Sequence, residues 1–138
     1  MKFDIIARIG TKLLLPFILV FALYVQFHGD YGPGGGFQAG VIAAAMVIFY
    51  AITFGLDAAK RSMPPVLVET MIGLGVFLFS GVGVVSMLKG GEFLNYSVLE
   101  HDPVHGQHIG IMLVEIGVLI TVFATMTAIF YSFAGRGR

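Results

Sequence analysis

Four long apolar runs constrain this chain more than any other feature. They extend from about Leu13 to Phe27, Phe37 to Leu56, Val66 to Leu88, and Ile109 to Ala134. A hydrocarbon layer of about 30 Å asks for roughly 20 apolar residues per helical crossing. Four such runs occupy most of a 138-residue chain and leave too little polar sequence to cover a soluble globule. The composition agrees. Hydrophobic residues make up 57% and charged residues 12%, where a soluble domain carries about 25% charged residues. The expected fold is an all-α membrane protein, a four-transmembrane-helix bundle forming one membrane domain over residues 1–138.

The first run is the shortest. Pro16 lies near its start, where a residue without an N–H suits a first turn or a kink. Lys2, Arg8 and Lys12 precede it, as in a secretory leader. No small-residue cleavage signal follows, since the exit reads Tyr24-Val25-Gln26-Phe27-His28, so the run is read as an uncleaved span. The fourth run would extend about 39 Å as a helix and so must tilt or protrude. Cysteine is absent, which removes disulfides, thiolate chemistry and cysteine-ligated metal centres. Net charge is zero and no basic face exists, so nucleic acid is not an expected partner. No cofactor is expected.

The charges are sorted along the chain. Lys2, Arg8 and Lys12, then Lys60 and Arg61, then Arg136 and Arg138 fall on one side of a four-span topology. They are seven of the eight basic residues. Lys89 stands alone at the far end of the third run. The positive-inside rule therefore predicts both termini in the cytoplasm. Asp30, Glu92, Glu100 and Asp102 fall in the two outer loops.

Small residues recur at helical spacing. Gly40, Ala44, Val47, Ala51, Gly55 and Ala58 share one side of the second segment. Gly73, Val76, Ser80 and Gly83 share a side of the third with Glu69. Gly110, Gly117, Thr121, Ala124, Ala128 and Ser132 form a stripe on the fourth. Such stripes let backbones approach, and close packing is what drives helix association in lipid. Gly40, Gly73, Gly110 and Gly117 are the expected packing glycines.

Two acids enter the apolar runs. Glu69 lies three residues past Val66, where a first-turn carboxylate suits the helix dipole. Glu115 is six residues past Ile109, about 9 Å along the helix. Its own side reads Ile111, Val118, Val122, Met126 and Ile129. An ionised carboxylate facing lipid costs on the order of 2.5–3.5 kcal/mol. Glu115 must therefore be neutral, meet a partner within the chain, or meet another subunit. Glu115, Glu69, His108 and Lys89 are the candidate ion or proton contacts.

The most unusual stretch is the first outer loop, from His28 to Gly40. It contains Pro33-Gly34-Gly35-Gly36-Phe37. It matches neither the P-loop nor the dinucleotide-binding glycine pattern. The triple glycine predicts a tight turn with close backbone approach. The second outer loop holds His101, Asp102, His105 and His108. Pro103 and Gly106 argue against a continuous helix there, so this row is not read as a metal site. His108 sits at the mouth of the fourth run, seven residues or about 10.5 Å from Glu115. A histidine there titrates near neutral pH and suits a relay toward Glu115.

Two stretches carry a resemblance: Gly32-Pro-Gly-Gly-Gly-Phe-Gln-Ala-Gly40 and His108-Ile-Gly-Ile-Met-Leu-Val-Glu-Ile-Gly-Val118. Together with the length and the four runs, they resemble the B subunit of Mrp-type multisubunit cation/proton antiporters, the MnhB family. The resemblance implies a small membrane subunit of a complex exchanging Na+ for H+. It implies large antiporter-like subunits as partners and a role in sodium tolerance and pH homeostasis in a bacterial or archaeal cell membrane. Some relatives place Gly-His-Asn before the Pro-Gly-Gly-Gly-Phe element. Here Asp30-Tyr31 stand between His28-Gly29 and that element, so no role passes to His28. The residues themselves agree in one respect. Two intramembrane acids with no embedded basic centre make a poor self-contained exchanger. The rival readings are a stand-alone homo-oligomeric transporter and a purely structural assembly subunit. An enzyme is not expected, because Ser80, Ser86 and Ser132 lack a membrane-buried base.

Overall fold

The computed structural model describes residues 5–28, 35–90 and 103–135, with side chains described throughout except at residues 103–108. Helix α1 covers Ile5–His28, α2 Gly36–Phe54, α3 Leu56–Ser62, α4 Pro65–Leu88 and α5 Pro103–Ala134. Four of them, all but α3, are long and apolar enough to cross a membrane. The architecture is thus a four-span all-α membrane fold.

Helix α1 begins earlier than the first apolar run. Pro16 therefore lies in its interior rather than in its first turn. There it removes one i→i−4 hydrogen bond, which membrane helices tolerate when neighbours re-satisfy the backbone. The loop between the second and third runs is itself partly helical. Gly55, at φ +102, ends α2, and the chain turns directly into α3. A residue with a Cβ rarely adopts that backbone conformation. Helix α5 begins at Pro103 and passes through Gly106, which corrects the expectation of a broken helix there. Proline is favoured at a first helical position because its missing N–H would have no partner there anyway. A single interior glycine costs only about 1 kcal/mol, which a helix of 32 residues absorbs.

The spans do not pack in chain order. Helix α5 lies between α2 and α4, and α1 packs on the other side of α2. The spatial order is therefore α1, α2, α5, α4. Helices α1 and α2 are antiparallel, tied at one end by Gly35 N–H donating to the Val25 carbonyl at 3.2 Å. At the other end Thr11 and Thr53 are hydrogen-bonded at 3.0 Å. The Thr11 hydroxyl already donates to the Ala7 carbonyl at 2.9 Å, so the Thr53 hydroxyl is the donor between the helices.

Small residues set the α2–α5 and α4–α5 contacts. A Cβ on Gly40 would stand 2.8 Å from Val122 Cβ and 2.9 Å from the Leu119 carbonyl oxygen. Gly117 meets α4 just as closely, 3.0 Å from the Gly75 carbonyl oxygen by the same measure, and a Cβ on Gly75 would overlap Thr121 Oγ1. Gly110 is buried. Gly73 has nothing within 4 Å and is exposed. The buried face of the third span therefore passes through Gly75, Val82, Gly83 and Ser86, taking in Gly83 of the expected stripe but not Gly73 or Ser80. Two positions along a helix is about 200° around it, so Gly73 points away when Gly75 faces α5.

The core is built largely from alanines of α2, with Leu56, Ala59, Val68, Phe123, Ala124 and Tyr131. Helix α3 folds back under α5. The Tyr131 hydroxyl donates to the Met63 carbonyl at 2.9 Å and the Ala59 carbonyl at 3.2 Å. Arg8 and Lys12 of α1 stand over the Phe54 ring, 5.8 and 5.6 Å from its centroid. Arg8, Lys12 and Phe54 gather at the same end of the bundle as Lys60 and Arg61. Lys89, at the end of α4, marks the opposite end.

Candidate functional site

The opposite end of the bundle is where α2 begins. Gly35 precedes its first turn at φ +133, with no side-chain cap. Its carbonyl accepts the Ala39 N–H at 3.1 Å and starts the helical ladder. A helix start leaves its first N–H groups without intrahelical partners and carries partial positive charge.

Glu115 of α5 faces this end. Its Oε1 lies 3.3 Å from where a Gly35 Cβ would stand, and Gln38 Oε1 lies 3.5 Å from the same point. A Cβ on Gly36 would overlap the Glu115 carbonyl oxygen and stand 3.1 Å from Val118 Cβ. The two backbones thus touch at Glu115. The apolar side on which Glu115 sits is the side that α5 presents to the α2 glycines. Of the three ways to accommodate the acid, this placement is in keeping with the second, a partner within the chain. The positive end of α2 offsets the cost of carrying a carboxyl group into an apolar layer.

The contact also fixes depth. Helix α2 has 19 residues, about 28 Å at 1.5 Å each, barely the thickness of the hydrocarbon layer. Its first turn must then sit at the edge of that layer, and Glu115 beside it. The part of α5 before Glu115, which includes His108, projects about 18 Å past the start of α2.

The remaining sequence candidates divide as follows. Pro33 and Gly34 lie outside the described residues, as do His101 and Asp102. His105 and His108 are placed on α5 by backbone alone. Gly35, Gly36 and Phe37 open α2; Gly35 and Gly36 are buried and Phe37 exposed. Glu69 is exposed near the start of α4, toward the end of the bundle opposite Glu115. Lys89 ends α4.

Sequence reading missed two residues. Gln38 stands beside Glu115. Gln26, on α1 next to Val25, is 3% exposed, and its Oε1 has no hydrogen-bond partner. A buried acceptor of this kind is usually satisfied by ordered water. A glutamine interrupting an apolar run was the available signal for it.

Four apolar helices in one chain define a multi-pass membrane protein. A family described as "Domain related to MnhB subunit of Na+/H+ antiporter" matches residues 6–128. The chain belongs to that family. Proteins named "Putative antiporter subunit mnhB2" from Staphylococcus aureus strains Newman, JH1 and USA300 are similar to it. Each is 32% identical over 135 residues, covering 96% of this chain and 95% of the relative.

Proposed function

We propose that this chain is a small integral membrane subunit of a multisubunit Na+/H+ antiporter, and that Glu115 contributes to a proton or cation half-channel in it. Family membership over nearly the whole chain supports the first part. The carboxyl group seated on Gly35 supports the second. It stands at the edge of the apolar layer, with Gln38 beside it and the unpartnered Gln26 oxygen at the same end of the bundle. A carboxyl group at the mouth of a span can exchange protons or a cation with water, and His108 on the projecting part of α5 lies on the approach to it.

The chain acts with partners, not alone. The basic residues of the described helices lie toward the bundle ends. An exchanger needs more than one acid and a helix start to alternate access. Larger antiporter-like subunits of the same complex are the proposed partners, Na+ and H+ the transported ions, and a transporter rather than an enzyme the class. The clustering of seven basic residues on one side supports cytoplasmic termini in a bacterial or archaeal cell membrane. A structural role is the second reading, favoured by the fit of Glu115 against the uncapped start of α2. Purification of the tagged chain in mild detergent tests the main reading. Larger membrane subunits should copurify in fixed ratio, and recovery of the chain alone as an active exchanger would overturn it.

A further inference from the structure

The basic end of the bundle carries a feature separate from the Glu115 site. A cleft of about 250 Å³ opens between α3, the start of α4 and the end of α5. That is far more than the roughly 30 Å³ share of one water. Its walls include Lys60, Pro65, Val68, Glu69, Tyr131 and Ser132. Val68 is 1% exposed and closes the apolar floor.

The cleft has one positive and one negative wall. Lys60 stands over the Tyr131 ring, its Nζ 5.8 Å from the centroid, and within reach of Gly135 at the end of α5. Glu69 lies on α4, across from α3. Among the described residues Lys60 and Glu69 form no ion pair, although both line the same space. Pro65 opens α4 and Ser132 lies in the last turn of α5, so the cleft sits where a bilayer's headgroups lie.

We propose that this cleft binds the headgroup of a zwitterionic phospholipid with a primary ammonium group, a phosphatidylethanolamine. Lys60 takes the phosphate, and Glu69 with the Ser132 hydroxyl takes the ammonium. An anionic headgroup would pair its phosphate with Lys60 but leave Glu69 without a cationic partner. A choline headgroup has no N–H to donate to Glu69, and its usual recognition uses several aromatic faces. The cleft offers one ring, Tyr131, and Lys60 already covers it. The acyl chains would run along the exposed apolar sides of α4 and α5.

The test is native mass spectrometry of the full-length chain with its copurifying subunits. The sample is exposed to equimolar phosphatidylethanolamine, phosphatidylcholine and phosphatidylglycerol with identical acyl chains. Wild type should retain phosphatidylethanolamine above the other two. Glu69→Gln should lower that retention about tenfold, to the level of phosphatidylcholine, and Lys60→Gln should lower retention of phosphatidylethanolamine by a similar factor. The exchanged pair, Lys60→Glu with Glu69→Lys, should recover part of the preference and guards against a loss due to misfolding. Equal retention of the three lipids by wild type would overturn the proposal. So would a preference for phosphatidylglycerol, or a phosphatidylethanolamine preference that survives both single substitutions.

Discussion

The carboxyl group of Glu115 stands against the backbone of Gly35, though the two residues are separated by most of the chain. Oε1 lies 3.3 Å from where a Gly35 Cβ would be, and Gly35 holds φ +133 as it opens α2. The contact brings together two awkward features, an acid in an apolar helix and a helix start with no side-chain cap.

Substitution at Gly35 meets both constraints at once. Gly35→Ala should destabilise the fold by about 1–3 kcal/mol, the usual cost of an unfavourable backbone conformation, and Gly35→Val should also reduce assembled complex. Gly10, with nothing within 4 Å and no positive φ, supplies the control. Gly10→Ala should lie within about 0.5 kcal/mol of wild type. Thermal unfolding of the detergent-purified protein separates the two.

The α4–α5 crossing distinguishes two glycines on one helix. Gly75→Ala forces a methyl group onto Thr121 and the Gly117 carbonyl, an overpacking worth about 1–3 kcal/mol. Gly73→Ala meets no atom of this chain and should leave its stability unchanged. Equal melting shifts for the two would refute the packing described here.

The Thr11–Thr53 bond joins α1 to α2 through two side-chain hydroxyls. A double-mutant cycle with Thr11→Val and Thr53→Val should give a coupling near 0.6 kcal/mol, the average for side-chain hydrogen bonds between membrane helices. A coupling indistinguishable from zero would remove this bond as a tie.

Tyr131 fastens α3 beneath α5 through two carbonyls. Tyr131→Phe keeps the ring and removes the donor, so a loss of about 1 kcal/mol is expected. Faster protease cleavage between Leu56 and Met63 should accompany it. Unchanged cleavage there would show that packing alone holds α3.

The spans were legible because hydropathy along the chain is enough to find them. Their order in space was not. Placing α5 between α2 and α4 depends on which glycines meet, and apolar residues all around a helix hide which face is inward. Gly40 and Gly117 stand out by spacing; Gly73 does so equally well, yet it is Gly75 that touches α5. Pro103 looked like a helix breaker because its place at the first helical position appears only once the helix start is known. Glu115 was legible as an acid out of place. Its seat was not, because Gly35 lies eighty residues away and nothing in either segment alone pairs them.

Glu115→Gln removes the titratable group while keeping shape and a carbonyl oxygen. The most direct measurement compares Na+/H+ exchange in everted membrane vesicles with the amount of assembled complex in the same membranes. Exchange per complex should fall well below wild type while assembly stays near normal. Unchanged exchange with normal assembly would contradict a proton or cation role for Glu115 and leave it a structural partner of α2.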